Sequence, residues 1–248
     1  MKNAIAKINA SELEKIVLSR KVIIKINTKE LNRLLKRLFY MYPSAYRYVW
    51  YHPEHGLWCG ASPELLLKAD RNNIKTVSLA GTKPRATNVA WTTKEIEEQE
   101  IVTRSIKTSL NEVTKQLSIS EAKTHYAGSL AHLRTEIKGK LKNGFTSLDI
   151  CKKLHPTPAV CGTPSKKALD YIIANEGYDR EFYTGFMGMI CKENKAAFYV
   201  NLRCMKIENT TATIYTGGGI IGTSNPKSER IETQRKLQTM LQVIAPFL

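Results

Sequence analysis

The sequence predicts an α+β fold dominated by antiparallel sheet. Short apolar, β-branched runs follow one another directly, hairpin-turn residues separate some of them, and a few long helical patterns stand apart. Strands are expected at Ile16 to Ile26, Arg47 to His52, Gly56 to Ala61, Leu65 to Ala69, Thr76 to Ala80, Phe182 to Ile190, Ala197 to Ile207 and Thr211 to Thr216, most of them bounded by turn residues. Asp70-Arg71-Asn72-Asn73 and Glu208-Asn209-Thr210 read as hairpin turns, because Asp and Asn tolerate the left-handed backbone of a tight turn. Helices are expected at Lys29 to Tyr40, Thr93 to Lys115, Ser147 to Leu154, Ser165 to Ala174 and Pro226 to Ile244. The second opens on Thr92-Thr93-Lys94-Glu95, a capping box in which Thr and Glu satisfy each other's free amides. The last opens on Asn225-Pro226, a cap residue followed by the proline that a helix accepts at its first position. No internal repeat or Pro/Gly/Ser-rich linker divides the chain, so residues 1–248 are expected to form a single domain.

A chain of 248 residues buries about 70–75% of the surface it exposes when unfolded, enough for a core without metal or disulfide staples. Its 42% hydrophobic and 24% charged residues are those of an ordinary globule, and no apolar run approaches the ~20 residues needed to cross a bilayer. The N-terminus MKNAIAKINASELEK interrupts its apolar residues with Lys and Glu and so lacks the core of a secretory signal, which leads to the expectation of a cytoplasmic protein without membrane contact. The five cysteines, Cys59, Cys151, Cys161, Cys191 and Cys204, are odd in number and show no C-x-x-C spacing, so they read as reduced core thiols. The net charge of +16 is spread along the whole chain, with local density only at Arg33 to Arg37 and Lys138 to Lys142. A spread charge of this kind reads as a solvated surface rather than a nucleic-acid footprint.

Two constellations carry possible chemistry. Glu95 and Glu98 near the start of one well-capped helix, and Glu229 and Glu232 near the start of the other, are each spaced three apart, which puts each pair on one helix face. Such acids often only meet the helix dipole. If the faces meet, however, four carboxylates make an oxygen-rich site suited to Mg²⁺, with Lys236 four residues beyond Glu232 to supply a positive charge. The run Gly217-Gly218-Gly219-Ile220-Ile221-Gly222 matches the dinucleotide fingerprint letter for letter, yet only 26 residues follow it, too few for a returning βαβ unit. Dinucleotide binding is therefore excluded, and two readings stay open: backbone amides that approach a ligand carboxylate, or a bulge or tight turn. Gly81-Thr82-Lys83 lacks the phosphate-cradling loop, and His125, His132 and His155 have no metal-type spacing.

Taken in order, the segments KIVLSR (15–20), ASPELLL (61–67), LAGTKPR (79–85), KEIEEQEIV (94–102), HLRTEIKG (132–139), LHPTPAVCGTP (154–164), REFYTGFMG (180–188), NLRC (201–204), YTGGGII (215–221) and PKSERIETQRKL (226–237) resemble the chorismate-utilising enzymes, the family of anthranilate synthase component I. Within that family LHPTPAVCGTP is most similar to the isochorismate synthases. The resemblance implies two packed, mostly antiparallel sheets with helices outside, and a Mg²⁺-dependent conversion of chorismate to isochorismate. In that reaction water adds at C2 while the C4 hydroxyl leaves, in service of menaquinone or siderophore biosynthesis. By the same resemblance Lys15 matches the general base and Glu64 the general acid. Glu98 and Glu232 match the direct Mg²⁺ ligands, with Glu95 and Glu229 behind them. Tyr183, Arg203 and the amides of Gly217, Gly218 and Gly219 match the groups that hold the enolpyruvyl carboxylate, and Gly81, Thr82, His132 and Lys236 match further substrate-pocket positions. Ala159 stands where amine-, salicylate- and anthranilate-forming members generally carry Thr, which points to a product that stops at isochorismate. The resemblance further implies no glutamine amidotransferase partner, and a monomer or weak homodimer is expected. Family members usually carry a long segment before the KIVLSR strand. Only fourteen residues precede Lys15 here, so part of the usual N-terminal region is expected to be lacking. The alternatives are a sister activity of the salicylate or anthranilate type, a non-catalytic shortened relative, or a basic binding module.

Overall fold

The computed structural model describes residues 1–85, 90–127, 130–192 and 195–248. Strand β1 (Lys15–Lys25) sets the frame of the first sheet. Its opening residues Lys15, Ile16 and Val17 are buried, and from Lys21 onward exposed and half-buried residues alternate, the period of a strand covered on one face. It runs antiparallel to β13 (Thr211–Ile220), from Ile16 opposite Ile220 to Lys25 opposite Thr211, and its first residues also pair with β9 (Gly162–Thr163). Beyond β13 lie β12 (Cys204–Glu208), β3 (Gly56–Ser62) and, at the edge, β2 (Tyr46–His52), completing six strands. The second sheet has seven. Its spatial order is β10 (Phe186–Ile190), β11 (Ala196–Val200), β4 (Leu65–Asp70), β5 (Asn73–Pro84), β8 (Leu130–Leu141) and β6 (Thr114–Ile119), with β7 (Lys123–Ala127) paired to the first half of β8. Every pairing between described strands is antiparallel.

Each sheet buries a face under helices. On the first, Leu34 and Leu38 of α2 (Leu31–Met41) and Leu237, Met240 and Val243 of α6 (Pro226–Ile244) pack with Met205, Ile207 and Ile214. On the second, Val102, Ile106 and Leu110 of α3 (Thr93–Asn111) and Ile150 of α4 (Ser147–Leu154) pack with Leu66, Leu67 and Ile137. Burying each such side chain is worth about 1.5–3 kcal/mol. A third cluster joins Ala4 and Ile8 of α1 (Lys2–Asn9) and Ala168 and Ile172 of α5 (Ser165–Asn175) to Ile16 and Ile220, which anchors the start of β1. Two links between the sheets matter most for function: Pro63-Glu64 between β3 and β4, and Asn201 to Arg203 between β11 and β12. Among the described residues no helix is long and apolar enough to cross a membrane.

The expected two-sheet architecture is the one observed, with local corrections. The run Ala197 to Ile207 is two strands in different sheets, broken where Arg203 adopts φ 49°. The strand expected from Phe182 starts only at Phe186, because Glu181 and Thr184 also take positive φ and turn the chain. The helix expected to reach Lys115 stops at Asn111, since Thr114 already pairs with Leu141 in the second sheet. Gly217, Gly218 and Gly219 are neither bulge nor tight turn but regular positions of β13, opposite Ser19, Leu18 and Val17. Strands β6 to β9 and helix α1 were not anticipated, and of the five cysteines expected in the core Cys191 is exposed, just past the end of β10.

Candidate active site

The two acidic helices are brought to one place by specific local contacts. At α3 the predicted capping box forms: the Thr92 amide donates to Glu95 Oε2 at 2.9 Å, and the Thr92 hydroxyl reaches the same carboxylate. Register shifts between β5 and β8 at Ala80/Thr82, where Gly81 takes φ +67°. At that irregularity the Ala80 amide donates to Gln99 Oε1 at 2.8 Å, while Gln99 Nε2 donates to Ser78 O and Thr135 Oγ1, each at 3.1 Å. The buried Gln99 amide thus locks α3 to the sheet and fixes its neighbour Glu98. At α6 the Asn225 side chain accepts the amides of Lys227 and Ser228, with Pro226 in the first turn. Thr216 Oγ1 donates to Thr233 O at 3.3 Å and Lys236 Nζ to Gly217 O at 3.2 Å, which ties the helix to β13.

Between these elements lies a narrow cavity of about 70 Å³, small beside the several hundred Å³ typical of a small-molecule site. Lysines and carboxylates interlock along one wall. Lys15, 1% exposed, reaches Glu98 Oε1 at 2.8 Å; Lys236 reaches Glu232 Oε1 at 2.6 Å; Lys94 lies 3.4 Å from Glu98 Oε2 and 3.2 Å from Glu229 Oε1. Burial pushes the Glu98 carboxyl up, but Lys15 and Lys94 outweigh it and hold the group well below the usual carboxylate range. Glu229 goes the other way: burial, with Glu232 beside it, raises its pKa against the pull of Lys94. Its Oε2 is buried without a hydrogen-bond partner. Gly219 leaves room for this cluster, since a Cβ there would lie 2.2 Å from Glu98 Oε1.

The other wall comes from the links between sheets. Glu64 is held by its backbone, its amide accepted by Ser62 Oγ at 3.3 Å and its carbonyl accepting from the Val200 amide at 3.0 Å. Burial lifts its carboxyl to about 7, even though Lys15, Lys236 and Arg203 act against the shift. Arg203 and Tyr183 are presented by the positive-φ links, and burial lowers the first pKa and raises the second. The His132 Nδ1–H donates to Gly81 O at 3.2 Å and lies at the same distance from Thr82 Oγ1; burial, helped by Lys236 and Arg203, lowers its pKa to about 3 and so keeps it neutral.

Of the residues singled out in the sequence, Lys15, Glu64, Gly81, Thr82, Glu98 and His132 line this cavity, as do Ala159, Tyr183, Arg203, Gly217, Gly219, Glu232 and Lys236. Three lie elsewhere. Gly218 faces α6, where a Cβ would meet Thr233 Cγ2 at 3.3 Å, because alternate residues of a strand point to opposite faces. Glu95 turns back onto its own helix cap, and Glu229 sits behind the lining against Lys94. Beyond Ile214 the edge of β13 toward β12 carries no ladder pairing among the described residues, and Gly217 O there accepts from Lys236. Sequence reasoning missed Lys94, whose signal was its position four residues before Glu98. It also missed Arg180, which bonds Val17 O at 2.7 Å, Val160 O at 2.9 Å and the Glu176 carboxylate, while Glu176 in turn accepts the Ser19 amide at 2.6 Å. This buried fork pins β1 to the loop that carries Ala159.

The donor set on α3 and α6 fits a hard divalent cation such as Mg²⁺: carboxylates only, an orphaned buried oxygen on Glu229, and a glycine where any side chain would block Glu98.

Comparison with known proteins gives a consistent picture. A family model described as chorismate binding enzyme matches residues 1–245. The chain is 32% identical over 244 residues to the isochorismate synthase EntC of Escherichia coli, an alignment that takes in 94% of this chain and 62% of EntC. The chain thus spans less than two thirds of that relative. The solved structure of DhbC from Bacillus anthracis superposes with a TM-score of 0.91 at 32% identity, covering 98% of this chain and 70% of that one. The menaquinone-specific isochorismate synthase MenF of Escherichia coli superposes with a TM-score of 0.87 at 25% identity, over 98% of this chain and 59% of MenF.

Proposed function

The chain belongs to the chorismate-binding enzyme family, and from that premise we propose that residues 1–248 form one catalytic domain that converts chorismate to isochorismate. The observation that carries this reading is the burial of Glu64 in the same cavity as Lys15. A carboxyl lifted to about 7 keeps a proton available at neutral pH, which a departing C4 hydroxide needs because it is a poor leaving group. Lys15, on the acidic wall of the same cavity, takes the proton of the water that adds at C2. The balance closes when Lys15 enters as its neutral amine and Glu64 as its acid: water supplies the new hydroxyl, Lys15 holds its proton, the old hydroxyl leaves as water with the proton of Glu64, and passing one proton from Lys15 back to Glu64 resets both.

The remaining residues orient the substrate. Arg203, Tyr183 and the backbone at Gly217 and Gly219 face the cavity and receive the enolpyruvyl carboxylate. Neutral His132, fixed through Thr82 and Gly81, offers a hydrogen bond to the ring without adding charge. Glu98 and Glu232 would hold Mg²⁺, with Glu229 behind them, while Glu95 is taken up by the helix cap. When bound, the ion neutralises the ring carboxylate. Ala159 supports a product that stops at isochorismate, with neither amine nor an amidotransferase partner required. The pathway served is menaquinone or siderophore biosynthesis.

Incubation of the purified chain with chorismate, with and without Mg²⁺, followed by chromatography, tests the proposal. Mg²⁺-dependent isochorismate is expected. Salicylate, or anthranilate in the presence of ammonia, would assign a sister activity, and a folded chain that yields no product would overturn catalysis by this domain.

A further inference from the structure

Among the described residues Lys94 is the lysine of the acidic wall that neither acts in the proposed reaction nor lines the cavity, as Lys15 and Lys236 do, and its position runs against local preference. It is the second residue of α3, where the positive end of the helix dipole disfavours a cation. It also precedes Glu98 by four residues, the weaker order for a helical ion pair. What holds it there is the cluster itself, since its ammonium bridges two helices by reaching Glu98 of α3 at 3.4 Å and Glu229 of α6 at 3.2 Å. Both distances exceed the roughly 2.7–2.9 Å of a tight charge-assisted bond. The neighbouring pairs, Lys15 with Glu98 at 2.8 Å and Lys236 with Glu232 at 2.6 Å, do not. Lys94 therefore makes the longest contacts of the three cations and is shared between two carboxylates. With a side chain 18% exposed, it also has a path toward solvent. The carboxylates it bridges are those that a divalent ion would draw on, and Glu229 keeps one buried oxygen that a single ammonium leaves unsatisfied.

We propose that Lys94 is an exchangeable internal counter-cation: its ammonium neutralises Glu98 and Glu229 while no divalent ion is bound, and it cedes those carboxylates when one arrives. The inference rests on the divalent-cation reading given above. It explains how a chain can fold around clustered buried carboxylates before metal binds, when like charges alone would repel. It also sets the ion's affinity, because each binding event gives up two ion pairs. A site built this way takes and releases its ion readily.

The test is direct titration of Mg²⁺ into metal-free protein by calorimetry, with melting temperatures recorded with and without the ion, for wild type, Lys94→Gln and Lys227→Gln. Lys227 is exposed in the first turn of α6 and makes no ion pair among the described residues, so its variant controls for loss of a nearby charge. Lys94→Gln is expected to melt lower without metal and to gain more from Mg²⁺. It should bind the ion about tenfold tighter, the order expected when two partly exposed ion pairs no longer have to be given up. Equal or weaker Mg²⁺ binding by Lys94→Gln, or an equal gain in Lys227→Gln, overturns the exchange role while leaving the metal site standing. Wild type that binds no Mg²⁺ overturns both the exchange and the divalent-cation reading.

Discussion

In the proposed reaction Glu64 and Lys15 carry opposite halves of one proton balance. Glu64→Gln and Lys15→Ala should each lower turnover by about 10²–10⁴-fold while chorismate still binds, since both groups act on the chemistry more than on the ground state. Steady-state kinetics with separate binding calorimetry checks this, and full turnover in Lys15→Ala would refute the base assignment. The pKa of Glu64 also predicts a pH effect on stability. Its folded value of about 7 lies above the ordinary 4.5, so the folded state binds more protons in that window and loses stability as pH rises through it. Glu64→Gln should therefore match wild type below about pH 4.5 and exceed it by about 1–3 kcal/mol above pH 7 in denaturant titrations. At this scale the sequence was unevenly legible. The paired glutamates announced themselves by helical spacing. Lys15 and Glu64 had no local pattern and were reached only through the family resemblance, because their partners come from strands far away in the chain. Lys94 and Arg180 each carry a glutamate four residues away, a spacing too common to single them out, and their decisive contacts, Glu229 on α6 for Lys94 and the Val17 and Val160 carbonyls for Arg180, come from distant segments that leave no mark in the local sequence.

At the level of elements, the glycines of β13 show why a letter pattern misleads. Gly217 to Gly219 resembles a nucleotide loop in sequence, yet it is ordinary strand, and what the glycines supply is the space left by missing side chains. Gly219→Ala would drive a Cβ to 2.2 Å from Glu98 Oε1 and 2.9 Å from Lys15 Cε. It should destabilise by about 1–3 kcal/mol and weaken Mg²⁺ binding. Gly218→Ala, whose nearest neighbour is Thr233 Cγ2 at 3.3 Å, should be much milder, and melting curves with a Mg²⁺ titration separate the two. Arg180→Ala leaves Glu176, only 3% exposed at its side chain, as an uncompensated buried charge. A cost of about 3–5 kcal/mol is expected in denaturant unfolding. The missed strands have a physical reason too. β6 has one buried residue in six, and β8 inserts His132 and Thr135 among its buried positions, so neither shows clean apolar alternation. Both helices with strong cap signals, α3 and α6, were legible from their first turns.

Across the whole molecule, the site exists because two sheets share a seam. The first sheet brings Lys15 and the glycine strand, the second brings Thr82 and His132, and the chain's passages between them bring Glu64 and Arg203. The helices outside each sheet then deliver acids of opposite origin to the same wall. Consecutive strands and hairpin turns made the antiparallel architecture readable in the sequence. The sheet crossings at Asn201 to Arg203 were not, since positive φ at an arginine follows from tertiary packing rather than from local preference. In the proposed reaction this seam adds water at C2 of chorismate while the C4 hydroxyl departs. The most direct test is turnover in ¹⁸O-labelled water with Mg²⁺ present, followed by mass spectrometry of the product. Isochorismate carrying one ¹⁸O at its C2 hydroxyl is the predicted result; unlabelled isochorismate, which would mean migration of the original hydroxyl, would contradict it.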